Sequence, residues 1–264
     1  MGIKIRITNI KKKIIIMTID ELAIKYNTDK SSLDHQYTKH YQTYFDKYVK
    51  NPKKILELGI YTTKIDVNGP TVNESGASLK TWSEYFPNAI IYGLDLIDFS
   101  NLDKNFNNIK TFPCNCEIRE EGDFEKMTDN WLKNLVNDPN QKMIGGKVSL
   151  KNMVDSLGGD FDVIIDDGPH TMTGQQIFLG YMFKYLKSGG VFVIEDLFTS
   201  KDGRYNHDPY TEKTTLWMAE NFLKTGKIES DLMTKEEINY LNDNILEFKL
   251  EKGLYSEIIF IIKK

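Results

Sequence analysis

The alternation of short apolar runs with amphipathic stretches along this 264-residue chain predicts an α/β fold with a mostly parallel central sheet, an antiparallel carboxyl-terminal edge hairpin and helices on both faces. Three observations carry the prediction. Phe161-Asp-Val-Ile-Ile-Asp166 and Val191-Phe-Val-Ile194 read as short buried strands, each ending abruptly in carboxylates. Between them Gln175–Leu186 reads as a helix stopped by Lys187-Ser-Gly189-Gly190, which makes one β-α-β unit with its two strands parallel and about 4.8 Å apart. Finally, Ile245–Leu250 and Ser256–Ile262 flank a turn at Glu251-Lys-Gly253-Leu, the pattern of an antiparallel hairpin.

The other elements follow in order. Thr18-Ile-Asp-Glu21 has the form of a capping box and predicts a helix from about Ile19 to Tyr26. His35 to Val49 carries Tyr37, Tyr41, Tyr44, Phe45 and Tyr48 at helical spacing, an aromatic stripe that predicts core and whose amino end is also suited to roof a ligand. Lys54-Ile-Leu-Glu57-Leu-Gly59 and Ala89-Ile-Ile-Tyr-Gly-Leu-Asp95 read as strands ending in an acid. Between them lie a polar insertion, Tyr61–Ser75, and a helix opened by Gly76-Ala-Ser78 and running through Phe86. Ile109–Asn115 is a weaker strand, and Phe124–Val136 and Val148–Leu157 read as helices. Past Asp196, Thr199–Pro209 is loop-like, and Thr214–Lys224 and Glu236–Asn242 are helical. Residues 1–17, where three lysines precede three isoleucines, are expected to be an extension or disordered tail, leaving 18–264 as a single domain.

With 40% hydrophobic residues the chain can furnish a sizeable core. A formal charge of −4 gives no reason to expect nucleic acid as a partner, and no apolar run reaches the roughly 18 residues of a membrane span. Cys114 and Cys116, one residue apart, cannot form an unstrained disulfide with each other and are expected to be reduced, as in a cytoplasmic protein. A homo-oligomer is compatible with the sequence.

The chemistry concentrates at the parallel strand ends. Asp166, Asp167, Glu195, Asp196 and His170 would emerge together at the carboxyl edge of the sheet, where open α/β sheets bind their ligands. Four acids and an imidazole at one edge call for a cation or a reaction to offset their repulsion, and a divalent metal beside a general base is the favoured reading. Glu57-x-Gly59 and Asp95 form a common nucleotide-binding arrangement, in which the glycine admits a ligand to the backbone and Asp95 accepts ribose hydroxyls. The sequence after Gly59 lacks the remaining glycines of a pyrophosphate-binding turn, so the helix start at Ser78 takes over as an anion-compatible terminus. Asp166 is assigned to the cofactor side or to loop structure.

Asn27-Thr-Asp-Lys30, Ile55-Leu-Glu-Leu-Gly59, Gly76-Ala-Ser-Leu79 with Trp82, Tyr92-Gly-Leu-Asp95, Ile165-Asp-Asp-Gly-Pro-His170 and Gly190-Val-Phe-Val-Ile-Glu-Asp196, in that order, resemble a known family. These segments are similar to the metal-dependent sugar O-methyltransferases of the mycinamicin and tylosin macrolide pathways. The resemblance implies a Rossmann-like class I methyltransferase fold using S-adenosylmethionine and Mg²⁺. By position it implies Asp167, Glu195 and Asp196 as metal ligands, His170 as catalytic base, and Glu57, Gly59, Ser78 and Asp95 along the cofactor. Asn115 stands near the family's usual glycine-acid pair, the adenine contact, and Pro169 stands where a serine is usual. Residues 18–50 would form a helical cap and 200–244, including His207, an acceptor lid. The acceptor would be a small molecule or glycan bearing a sugar hydroxyl. His35 and His40 are expected on a helix surface. Two alternatives share the sheet: a cephalosporin-hydroxylase-like enzyme, and an NAD-dependent oxidoreductase, which would need the missing glycine turn.

Overall fold

The computed structural model describes residues 17–60, 76–127, 130–137, 143–206 and 209–264. The expected tail at 1–16, the Tyr61–Ser75 insertion and His207 therefore lie outside the described residues. The chain runs α1 (Ile19–Tyr26), α2 (Thr38–Tyr48), β1 (Lys54–Leu58), α3 (Ala77–Tyr85), β2 (Ile90–Asp95), α4 (Ser100–Asn105), β3 (Ile109–Pro113), α5 (Asp123–Lys126), α6 (Asn130–Asn137), α7 (Leu150–Leu157), β4 (Phe161–Asp166), α8 (Met172–Met182), β5 (Leu186–Ile194), α9 (Thr215–Thr225), α10 (Lys235–Asn244), β6 (Ile245–Lys252) and β7 (Glu257–Lys263). One seven-stranded sheet has the order β3-β2-β1-β4-β5-β7-β6. Pairings from β3 through β5 are parallel, while β7 enters antiparallel between β5 and β6.

Strand alternation sends successive residues to opposite faces and so builds two cores. Ile55, Val163, Ile165, Val193 and Phe260 pack on one face with Tyr41, Phe45 and Trp82 of α2 and α3. Leu56, Ile164, Phe192 and Ile261 pack on the other with Phe178 and Met182 of α8 and Met218 of α9. Covered on both sides, β4 and β5 read as continuous apolar runs for a physical reason.

The structure corrects several boundaries. The helix expected over Phe124–Val136 is two, α5 and α6, because the backbone at Met127 turns extended. The helix expected at Gln175–Leu186 begins three residues earlier, where the Thr171 hydroxyl accepts the Gly174 N–H, and ends at Met182 before a single 3₁₀ turn. Lys187-Ser-Gly189-Gly190 is not a helix stop: it lies inside β5 as an irregularity, where the register jumps from Phe161–Leu186 to Val163–Val191. The 3₁₀ turn that follows α8 is held at its exit by Lys263, whose buried ammonium donates to the carbonyls of Phe183, Lys184 and Leu186 at 3.3, 3.0 and 2.7 Å. Cys114 and Cys116 are free and buried, and burial pushes the Cys114 thiol up to about 12.

Gly59 is required by packing within the fold. Its φ is +95°, and a Cβ built there would lie 1.9 Å from the backbone carbonyl oxygen of Asp167. The space a side chain would fill belongs to the β4 exit itself. Gly59→Ala is therefore expected to destabilise the fold by about 3 kcal/mol or more, since both backbone strain and a backbone clash must be relieved. Denaturant titration checks this, and a loss below about 1 kcal/mol would contradict the packing argument.

Candidate active site

Parallel pairing aligns Asp166 with Ile194 on β5 and with Leu58 on β1, so three strand ends meet at one point. The Glu195 N–H donates to the Asp166 carbonyl at 3.0 Å and the Asp167 N–H to the Leu58 carbonyl at 3.0 Å, extending the ladder into the acidic segments. Gln175 on α8 donates its amide to the Glu195 carbonyl at 3.0 Å, fixing the turn from behind. His170 and Asp196 both adopt left-handed backbone conformations, with φ of 57° and 60°. Such conformations cost of order 1 kcal/mol each for residues bearing a Cβ, and here they aim two side chains into the same space.

The charge balance is set by a residue from the amino-terminal segment. Lys30 is 1% exposed, and its ammonium lies 2.5 Å from Asp167 Oδ2, 2.8 Å from Glu195 Oε2 and 3.6 Å from Glu57 Oε1. Tyr41 donates its hydroxyl to Glu195 Oε1. Asp196 Oδ1 accepts from the Tyr37 hydroxyl at 2.7 Å and lies 3.1 Å from His35 Nδ1. Burial raises the Asp196 carboxyl, but the His35 hydrogen bond and the neighbouring imidazoles outweigh it and hold the group down at about 2. Glu195 goes the other way: burial pushes it well above the carboxylate range, Lys30 opposes this, and Asp167 and Asp196 add to it. One ammonium cannot neutralise this many buried acids.

The structure brings together Asp167, His170 and Asp196, each offering one ligand atom within 4.8 Å of the others. His170 Nε2 is 3.5 Å from Asp196 Oδ2 and 3.9 Å from Asp167 Oδ1. Glu195, expected as the third metal ligand, does not join this group. Its two oxygens are engaged by Tyr41 and Lys30 behind it. The hard carboxylate oxygens of Asp167 and Asp196, with no thiolate among them, fit a divalent ion such as Mg²⁺. The surroundings also carry unmet demand: among the described residues Glu57 Oε1, Asp166 Oδ2, His170 Nδ1 and Gln175 Oε1 are buried without a hydrogen-bond partner.

The residues expected along a cofactor divide into two groups. Glu57 and Asp166 face inward at the ends of β1 and β4, fully buried, and burial raises each carboxyl to about 7. Trp82 anchors Glu57 by donating Nε1–H to Oε2 at 3.0 Å, and Ser78 is buried at the second position of α3. Asp95 organises its own strand end, accepting the Ile60 N–H at 3.0 Å and the Ile97 N–H at 3.1 Å. Asn115 is buried, and its amide donates to the Gly146 carbonyl and accepts from the Glu117 N–H, so both ends make contacts within the local loop. His35 is not on a helix surface but in the loop before α2, against Asp196. His40 is on α2, with Nε2 3.0 Å from the Lys252 carbonyl. The sequence reading gave the amino end of the aromatic stripe as suited to roof a ligand but named none of Lys30, Tyr37, Tyr41 and His35 as site residues. Their only signal was the Asn27-Thr-Asp-Lys30 motif and the aromatic stripe behind it.

No protein-family model matches the chain. Curated relatives include the mycinamicin VI 2''-O-methyltransferase of Micromonospora griseorubida, 28% identical over 182 residues that cover 69% of this chain and 36% of the relative. The L-olivosyl-oleandolide 3-O-methyltransferase of Streptomyces antibioticus is 30% identical over 184 residues, 69% of this chain and 38% of that protein. The chain thus spans less than two fifths of the length of these two relatives. Among solved structures, the methyltransferase MycE from the mycinamycin biosynthetic pathway, in complex with Mg, SAH and mycinamycin VI, superimposes with a TM-score of 0.64 at 23% identity, over 94% of this chain and 54% of that one. The resemblance drawn from the motifs holds, and the chain has the class I methyltransferase fold.

Asp166 yields a signed expectation. Its folded value of about 7 lies above the ordinary 3.8, so the native state keeps a proton that the unfolded chain has already lost between those values. The stability this contributes is fully present below the unfolded value and is lost as pH rises through the folded one. Asp166→Asn removes the charging cost, and in chelator the variant is expected to exceed the wild type in stability by roughly 1–3 kcal/mol near pH 8, with the gap closing towards about pH 4. Thermal melts at both pH values check this. A variant less stable than the wild type at both would show that the buried carboxylate is better compensated than its contacts indicate.

Proposed function

We propose that the chain is an S-adenosylmethionine- and Mg²⁺-dependent O-methyltransferase acting on a hydroxyl of a sugar or glycosylated small molecule. The observation that carries this reading is the Asp167–His170–Asp196 cluster at the ends of β4 and β5, beside the inward-facing acids Glu57 of β1 and Asp166 of β4 on a class I methyltransferase sheet. The relatives above are O-methyltransferases of glycosylated natural products and lend no support to the oxidoreductase or hydroxylase alternatives.

Glu57, Ser78 and Asp95, with Asp166 adjoining, would hold the methyl donor, while Asp167 and Asp196 would hold the ion. When bound, the sulfonium supplies the methyl group and the ion acidifies the hydroxyl that receives it. The chain's own tasks are alignment and proton removal. His170 takes the proton at Nε2, the nitrogen facing both carboxylates, and those carboxylates stabilise the imidazolium that results. Tyr37 and His35 keep Asp196 ionised and oriented. Residues 18–50 supply the roof that excludes water from this pocket. Residues 200–244 are assigned to the acceptor side. Exposed Phe198, two residues past Asp196, and exposed Tyr255, packed edge-on against His35 at 5.8 Å, offer aromatic faces suited to a sugar ring.

Methyl transfer to macrolide glycosides and sugar nucleotides, followed by mass spectrometry, is expected to stop in excess chelator and return with Mg²⁺. Full turnover after verified metal removal would reject the metal role. Asp95→Ala is expected to weaken S-adenosylmethionine binding by roughly 1–3 kcal/mol in calorimetry, through loss of a charged acceptor. An unchanged affinity would remove Asp95 from the cofactor site. His170→Ala is expected to lower turnover by about 10²–10⁴-fold while cofactor affinity and melting temperature stay near wild type. Near-normal turnover with chemistry rate-limiting would move the base elsewhere.

A further inference from the structure

Lys30 is built into the acidic site rather than passing by it. Its backbone carbonyl accepts the N–H groups of Tyr37 and Thr38, each at 3.0 Å, so the turn carrying it is locked to the start of α2. The same helix start delivers the Tyr37 hydroxyl to Asp196, and one turn later Tyr41 reaches Glu195. The ammonium divides the carboxylates. Asp167 turns Oδ2 to Lys30 and Oδ1 to His170, and Glu195 turns Oε2 to Lys30 and Oε1 to Tyr41. Asp196 is free of the ammonium and takes its hydrogen bonds from Tyr37 and His35.

We infer that Lys30 is a tethered counter-cation of this site, competing with the divalent ion for Asp167 and Glu195 and so setting the affinity at which that ion is held. The inference rests on the metal site of the proposed function and extends it to a residue outside the set of ligands. An ammonium fixed by its own backbone is present in every copy of the chain, so the acids stay ordered and partly neutralised whether or not an ion has arrived. A divalent ion entering at the Asp167–Asp196 edge must then draw on oxygens that already have a partner. Its binding is weakened by that competition, and Glu195 joins the ion only by leaving Lys30. Lys30 is a positioning residue in this scheme and touches neither methyl donor nor acceptor.

The test is Lys30→Met, which keeps most of the length and removes the charge. In excess chelator its melting temperature is expected to fall by about 10 °C, because buried carboxylates lose the ammonium that pairs with them. Mn²⁺ titration by calorimetry is expected to give a Kd about tenfold or more tighter than wild type, since the competitor is gone. The double variant Lys30→Met/Glu195→Gln restores the wild-type charge balance and is expected to recover most of the lost melting temperature in chelator. Mn²⁺ affinity unchanged or weakened in Lys30→Met overturns the inference. Should the single variant not fold, failure of the double variant to recover folded protein overturns it as well, because Lys30 would then be needed for shape and not for charge. A wild-type chain that binds no Mn²⁺ sinks the proposed metal site, and the inference with it. A wild-type chain that binds Mn²⁺ while Lys30→Met binds it no tighter sinks the inference alone.

Discussion

The buried ammonium of Lys30 is the contact on which the arrangement of this site depends. Lys30 lies between Glu57 at the end of β1, Asp167 past the end of β4 and Glu195 past the end of β5, and it arrives from a segment outside the sheet. Three strands therefore converge on one cation, and the amino-terminal helices are held to the sheet by the same contact. Breaking a buried ion pair by removing one partner is strongly unfavourable, whereas the intact pair contributes little net stability. The arrangement is thus better understood as specifying where α1 and α2 sit than as a source of stability. It also explains why Tyr37 and Tyr41 have hydroxyls where an amphipathic stripe alone would be served by phenylalanine.

Much of the sheet was legible because burial on both faces writes itself as uninterrupted apolar runs. Phe161–Asp166 and Val191–Ile194 could hardly be anything but strands, and the helix between them forces them parallel. The acids that end them were legible as a site because no apolar core explains them. What the one-dimensional pattern could not carry was tertiary in origin. Nothing local marks Lys30 as buried, since a lysine in Asn27-Thr-Asp-Lys30 reads as surface until α2 folds over it. Gly59 was read as a glycine that admits a ligand, and its contact with the Asp167 carbonyl was invisible because that atom is more than a hundred residues away in sequence. Lys187-Ser-Gly189-Gly190 carried the composition of a helix stop, yet the chain absorbs it inside β5 while Lys263 of the neighbouring β7 holds the 3₁₀ turn before it.

The division of labour between the two faces is also physical. The face under α2 and α3 is rich in aromatic rings with polar tips: Tyr41, Phe45 and Trp82 lie within 5.7 Å of one another, centroid to centroid, and Trp82 and Tyr41 extend N–H and O–H groups to Glu57 and Glu195. Rings of this kind fill core volume and hold a carboxylate in place at once. The face under α8 and α9 is mostly aliphatic and aromatic carbon, and its helices reach the site through backbone contacts such as Gln175 to the Glu195 carbonyl. Orientation of the acids comes from one layer and support for the turn from the other.

The antiparallel entry of β7 between β5 and β6 has a consequence for how the chain is made. A ribosome completes β5, with its acidic end, long before it reaches the segment that will pair with it. During all of that interval the outer edge of β5 shows unpaired backbone groups on a strongly apolar strand, the kind of edge that invites pairing with another nascent chain. Nascent chains of this protein should therefore depend on chaperones most at the stage when α10 has emerged and β7 has not.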